Sequence, residues 1–165
     1  MSGNTSDIEK AIRIVVKEFI SIIRETDNII LPFLRFHLLT ENLLERIITC
    51  QLARADRLLD KAKLTYYQKL CLVSSFDSLS DKVVQALKNL NSKRNKLSHA
   101  RSESISIDDI DKIGMPFGKK YSELKTKYSN NTKELVICVF ELILLDLFPV
   151  VYHLESGTIL PSEGS

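Results

Sequence analysis

The sequence predicts an all-α protein, an antiparallel up-and-down helical bundle. Apolar residues recur at intervals of three and four along most of the chain, and no stretch alternates apolar and polar residues as a strand would. Only five glycines and four prolines occur in 165 residues, a composition that favours long helices. Four long helical segments joined by short connectors are typical of a helical bundle.

Several of the predicted helices begin where the sequence favours a helix start. Ser6 and Glu9 form a capping box, Pro32 suits a first turn, and Thr65 and Ser106 are N-cap residue types. The predicted segments are 6–24, 32–61, 66–75, 81–99, 107–113, 119–127 and 132–152.

The last segment is the most apolar part of the chain and opens at Thr132. Glu141, Asp146 and Pro149 interrupt it, so it falls short of the ~18 uninterrupted apolar residues that indicate a membrane span. We therefore expect a central bundle helix, and no membrane partner.

Size and composition predict one domain. Residues 1–154 form the bundle in this interpretation, and the polar residues 155–165 form a disordered tail. The net charge is +2, which excludes a global basic field, so any preference for a charged partner must be local. Three cysteines far apart in the sequence predict neither a disulfide framework nor a zinc site, and they favour the cytoplasm.

Two predicted helices each place a charged residue on their apolar face. At about 100° per residue, His37 and Glu41 share the stripe of Leu44, and Arg94 shares the stripe of Leu87. A buried carboxylate costs several kcal/mol unless it is paired, so we expect Glu41 to pair with Arg94. His37 and Glu41 alone are too few ligands for a metal, and we expect no cofactor.

A second basic group, His99, follows Arg94 at the end of the fourth segment. Five residues of regular helix turn the chain by about 140°, so Arg94 and His99 point apart, whereas Asn95 and His99 share a face. For Arg94 and His99 to act together, either the helix distorts near 96–98 or a second subunit supplies half of the site.

The stretch Arg94-Asn95-Lys96-Leu97-Ser98-His99 resembles the signature of the HEPN superfamily (higher eukaryotes and prokaryotes nucleotide-binding domain). That signature is an Arg, four to six residues and a His, with Asn among the residues typical directly after the Arg. The earlier stretch HLLTENLLERII is similar to the acidic second helix of several HEPN groups. The resemblance implies a HEPN-like bundle and a homodimer that brings two motifs together. Many HEPN proteins are metal-independent endoribonucleases, found as toxins with cognate antitoxins and in phage defence.

The residue types suit RNA cleavage by the 2′-hydroxyl, which leaves a 2′,3′-cyclic phosphate. His99 would transfer protons, Arg94 would bind the scissile phosphate, and Asn95 would orient His99 or donate to a phosphate oxygen. The expected supporting residues are Glu41 and Ser98, and the expected RNA-binding cations are Lys93, Lys96 and Arg101.

Two other functions stay open. One is a non-catalytic HEPN-like regulatory or protein-interaction module, similar in size and layout to regulators of the mannitol-operon repressor type, in which Arg94 and Glu41 stabilise the bundle or dimer. The other is a generic helical bundle whose groove binds a small ligand or nucleotide, which predicts an apolar pocket away from residue 94. The sequence HARSES lacks the Tyr that often follows the motif in toxins paired with nucleotidyltransferase antitoxins, which speaks against that subgroup.

Overall fold

The computed structural model describes residues 3–25, 28–99 and 104–157 of the chain. All regular structure within these ranges is helical, which confirms the predicted all-α class. The α-helices are α1 (Gly3–Arg24), α2 (Ile30–Gln51), α3 (Tyr66–Ser74), α4 (Asp81–His99), α5 (Ile107–Gly114), α6 (Lys119–Lys127) and α7 (Thr132–Ser156). Two further turns are a π-helical turn at Arg57–Lys61 and a 3-10 turn at Met115–Phe117.

Helix α7 is the centre of the bundle, as predicted. It packs against α1, α2, α4, α5 and α6. The ring of Phe140 stacks on that of Phe36 from α2, with 3.8 Å between centroids. Of the helices in the described ranges, α7 alone is long and apolar enough to cross a membrane, but 61% of its apolar window is buried inside the bundle. This burial is that of a core helix.

Helices α2, α3 and α4 pack against one another, and α2 and α4 also pack against α7. Each presents an apolar face inward, because residues three and four apart lie on the same side of a helix. Phe36, Leu44, Leu70, Leu87 and Leu90 are fully buried along these faces. His37 and Glu41 lie on α2 and Arg94 lies on α4, so this group of three helices carries the residues predicted to face inward.

Side-chain caps begin three of the helices, two of them as predicted. Thr65 accepts from the backbone N–H of Gln68 at 3.3 Å, and Gln68 accepts from the backbone N–H of Thr65 at 2.9 Å. Ser106 and Asp109 form the equivalent box at the start of α5. The cap of α7 is Asn131, one residue before the predicted opening residue Thr132.

The prediction of one helix over 32–61 is wrong. Helix α2 ends at Gln51, because Leu52 is extended, with φ −119° and ψ 124°. No Gly or Pro marks this point, and the residues that follow are good helix formers. The break turns the chain so that α3 packs back against α2, so tertiary packing overrides local helix propensity here.

Both ends of the chain differ from the prediction where they are described. Helix α1 begins at Gly3, so Ser6 lies inside it rather than at its N-cap. Helix α7 runs to Ser156, two residues into the predicted tail, and ends at Gly157 with the positive φ of 66° that helix C-termini favour. There Glu155 forms a bidentate ion pair with Arg46 of α2, with N–O distances of 2.7 and 2.6 Å. Residues 158–165 of the predicted tail lie outside the described residues.

Candidate functional site

A polar groove of about 420 Å³ opens where α2, α3 and α4 meet. It contains four of the residues that the sequence singled out on α2 and α4, namely His37, Glu41, Arg94 and Asn95. The residues that line it are His37, Glu41, Thr65, Tyr66, Tyr67, Asn91, Arg94 and Asn95.

His37 lies at the base of this groove and is 3% exposed. Its Nε2 lies 3.1 Å from Oδ1 of Asn91, and its ring stacks on that of Tyr66, with 4.1 Å between centroids. Tyr66 is hydrogen-bonded in turn to Thr40, with 3.0 Å between the two hydroxyl oxygens. The predicted inward position of His37 is confirmed, and its neighbours hold the ring in one orientation.

Burial lowers the pKa of His37, and the positive charge of Arg94 lowers it further. The hydrogen bond to Asn91 and the charge of Glu41 act in the opposite direction but are outweighed. The fold therefore favours the neutral imidazole.

We expect the protein to lose stability as the pH falls below 6.5, the ordinary pKa of histidine. In that range His37 becomes protonated in the unfolded chain but stays neutral in the folded chain, because folding lowers its pKa. This histidine then contributes a slope of at most about 1.4 kcal/mol per pH unit, which ends once the pH is below the folded-state pKa. Chemical denaturation of wild type and of His37→Gln between pH 5 and 8 measures the difference. His153→Gln on α7 is the matched control; a His37→Gln protein with the wild-type slope would contradict the assignment.

Glu41 does not pair with Arg94, contrary to the sequence prediction. Its Oε1 accepts from Nζ of Lys69 at 2.7 Å, and the same ammonium reaches Glu45 at 2.5 Å. Lys69 of α3 is 7% exposed, so its charge needs compensation and takes both carboxylates of α2. Glu41 therefore stabilises the α2–α3 contact.

Lys69 is not among the residues predicted from the sequence, although a signal for it was present. The buried residues of α3 are Tyr66, Lys69, Leu70 and Val73, the i, i+3, i+4, i+7 pattern of an apolar helix face. A lysine within that pattern predicts a partly buried cation that needs an acidic partner. In the sequence, α3 is nearer to Glu41 than Arg94 is. In the structure, α3 packs against α2, the helix that carries Glu41.

Arg94 lines the groove and is half-buried. Within the described ranges no carboxylate forms an ion pair with it, and its one side-chain hydrogen bond is a long one, 3.4 Å from Nη1 to Oδ1 of Asn95. Arginine is seldom buried without a partner. Among the described residues the guanidinium therefore has no direct carboxylate partner in this polar concavity, and an anion such as a phosphate could take that place.

The rest of the motif lies along the same helix. Asn95 lines the groove and is exposed, and the exposed Ser98 donates to the backbone oxygen of Arg94 at 3.1 Å. Helix α4 is an uninterrupted α-helix through residue 99, so positions 94 and 99 are about 140° apart around its axis. The predicted alternative of a distortion near 96–98 is wrong. The side chain of His99 lies outside the described residues.

The predicted RNA-binding cations differ in their surroundings. Lys93 is 6% exposed, and its Nζ lies 2.9 Å from Oδ2 of Asp109, so the expectation that it meets an RNA backbone is wrong. Burial raises the pKa of Asp109, but hydrogen bonds from Ser106 and Lys93 outweigh this and keep it below its usual range. Lys96 is exposed, as the expected role requires. Arg101 lies outside the described residues.

A second cavity, of about 490 Å³, lies around α6, well apart from residue 94 in the sequence. A ligand-binding bundle predicts a pocket of this kind. Its charged groups are already paired, because Asp111 accepts from the hydroxyl of Tyr121 and from Nζ of Lys125. The two charged residues that line this cavity, Asp111 and Lys125, are thus paired with each other, whereas Arg94 in the groove has no carboxylate partner among the described residues.

No group of three or more His, Cys, Asp and Glu residues is arranged to hold a metal ion in the described part of the chain. His37 and Glu41 both line the groove, but Glu41 already bonds Lys69.

Known proteins give no further guide to this groove: no protein-family model, no curated protein and no solved structure matches the chain.

Proposed function

We propose that the protein is a HEPN-like, metal-independent endoribonuclease that cleaves RNA by attack of its own 2′-hydroxyl. One observation carries the proposal: the half-buried guanidinium of Arg94 lines a polar groove without a carboxylate partner among the described residues. A phosphodiester is the anion that this charge and the neighbouring Asn95 amide suit. The resemblance of residues 94–99 to the HEPN signature supplies the reaction.

In this mechanism Arg94 binds the scissile phosphate and stabilises the charge that develops on it. Asn95, on the groove rim, donates a hydrogen bond to a phosphate oxygen. His99 removes the 2′-hydroxyl proton or protonates the leaving 5′-oxygen. The products are a 2′,3′-cyclic phosphate and a 5′-hydroxyl end.

The proposed active form is a homodimer with a HEPN-like up-and-down topology. The regular course of α4 keeps positions 94 and 99 of one chain on different sides of the helix. A second subunit solves this problem by bringing its own motif against the first. The same resemblance suggests a cytoplasmic toxin or phage-defence effector, with a cognate antitoxin as partner.

The contact between Lys69 and Glu41 bears on the non-catalytic alternative. The version of the regulatory module in which an Arg94–Glu41 pair stabilises the bundle is not supported, because Glu41 pairs with Lys69 instead. The ribonuclease proposal accounts for an Arg94 that has no carboxylate partner among the described residues.

We expect the wild-type protein to cleave a mixed RNA pool in the presence of EDTA and to leave 2′,3′-cyclic phosphate ends. His99→Ala should lose cleavage by at least about 100-fold, since general acid–base catalysis contributes that much or more. Cleavage is followed on gels, and cyclic ends are identified because they resist a phosphomonoesterase until acid has opened them.

His153→Ala on α7 controls for the loss of a histidine as such. Circular dichroism and size-exclusion chromatography establish that each variant is folded and report its oligomeric state. A folded, dimeric wild type that leaves the RNA pool intact, or a His99→Ala protein that cleaves at the wild-type rate, overturns the proposal.

A further inference from the structure

The exposed side of the groove carries an aromatic ring that the proposed chemistry does not use. Tyr67, the second residue of α3, lines the groove together with Arg94 and Asn95. It is 53% exposed, whereas its neighbour Tyr66 is 6% exposed and packs on His37. The two tyrosines therefore differ in position: Tyr66 lies at the base of the groove, and the ring of Tyr67 is open to solvent.

The backbone that carries Tyr67 is held in place although its ring is exposed. Tyr67 lies in the first turn of α3, between Thr65 and Gln68, which form the capping box. A ring carried by a fixed turn loses less conformational entropy on stacking with a flat ligand than one on a mobile loop. An exposed aromatic ring beside a cation without an ion-pair partner among the described residues is a combination that binds single-stranded nucleic acid through its bases and its backbone.

The size of the groove sets how much of an RNA fits there. About 420 Å³ lies at the small end of the range of ligand sites, ~300 to 1,000 Å³, and suits one nucleotide rather than a duplex. In a duplex both faces of a base are already covered by its neighbours, so a base that stacks on Tyr67 has to be unpaired.

We propose that Tyr67 is a nucleobase-binding residue, on which an unpaired base of single-stranded RNA stacks while the adjoining phosphate lies on Arg94. This inference rests on the proposed ribonuclease function and adds the substrate class: single-stranded rather than duplex RNA. It also assigns to α3 a role in substrate binding that the Arg94–His99 motif does not contain.

The test uses a fluorescently labelled, unstructured 2′-O-methyl oligoribonucleotide, which lacks the nucleophile and so stays intact during a binding measurement. We expect Tyr67→Ala to raise the Kd, measured by fluorescence anisotropy, by at least about fivefold, the lower end of a stacking contribution. Tyr67→Phe keeps the ring and should stay within twofold of wild type. Tyr152→Ala removes another exposed tyrosine, on α7, and should leave the Kd unchanged.

A matched oligonucleotide with abasic sites separates stacking from a loss of shape. Wild type should bind it more weakly, and Tyr67→Ala should then have no further effect. Unchanged Kd values for Tyr67→Ala, or an equal loss on both oligonucleotides, overturn the inference.

The failure of this inference is distinguishable from the failure of the proposed function. If wild type and Tyr67→Ala cleave RNA and bind the oligonucleotide equally well, the function stands and the base-binding role of Tyr67 is wrong. If wild type neither cleaves RNA nor binds the oligonucleotide, both are wrong. Faster cleavage of duplex than of single-stranded RNA would contradict the substrate class alone.

Discussion

Replacing Lys93 by alanine is expected to lower the free energy of unfolding by about 3 kcal/mol, the lower end of what breaking a buried ion pair costs. The side chains of Lys93 and Asp109 are only 7% and 14% exposed. Without the ammonium, the Asp109 carboxylate stays buried and keeps only its hydrogen bonds to Ser106. The loss should appear as a lower midpoint in urea denaturation with an unchanged slope.

Lys96→Ala is the matched control for this change. Lys96 lies three residues further along the same helix but is exposed, so its removal should change stability by less than about 0.5 kcal/mol. Lys93→Met keeps most of the apolar stem and separates the lost charge from the lost packing. Equal stabilities for Lys93→Ala and Lys96→Ala would show that the Lys93–Asp109 pair contributes nothing.

Arg94→Ala is expected to reduce RNA cleavage by about 100- to 1,000-fold, the range found when one group that stabilises developing charge is removed. Its effect on stability should be small, within about 1 kcal/mol, because no described carboxylate is left unpaired by the change. Arg94→Lys should recover little activity, since an ammonium cannot make the paired bonds of a guanidinium to phosphate. Single-turnover cleavage and urea denaturation of the same samples give both quantities.

The exposed Arg35 on the outer face of α2 provides the control for this second prediction. Arg35→Ala removes the same charge away from the groove and should leave cleavage within a few-fold of wild type. An Arg94→Ala protein that cleaves RNA normally but unfolds easily would return Arg94 to a purely structural role.

The parts of the fold that the sequence predicted are those determined by local chemistry. The caps at Thr65 and Ser106 are local hydrogen bonds between residues three apart, and the helices that they open begin where expected. The end of α2 at Gln51 was not predictable in this way, because nothing in its composition differs from the helix that precedes it. Only the packing of α3 against α2 makes the break favourable.

In the candidate site too, some features could be predicted from the sequence and others could not. Helical periodicity placed His37, Glu41 and Arg94 on inner faces, and all three line one groove. Periodicity alone does not say which of several partly buried charges will meet, so it assigned Glu41 to Arg94 rather than to Lys69. It also treated Lys93 as a surface charge, since the buried partner Asp109 comes from a different helix, beyond a polar connector.

The packing of α1 on α7 has a consequence for the order in which the chain folds during synthesis. The first helix leaves the ribosome long before the last, yet α1 packs chiefly against α7. Two hydrogen bonds near the C-terminal end of α1 also require α7. Arg24 donates to the carboxylate of Glu134, and Lys133 donates to the backbone oxygen of Arg24. Helices α2, α3 and α4, which build the groove, are neighbours in the sequence and in contact with one another, so they can associate earlier. Emergence of α7 from the ribosome is therefore the step that covers α1 and completes its packing.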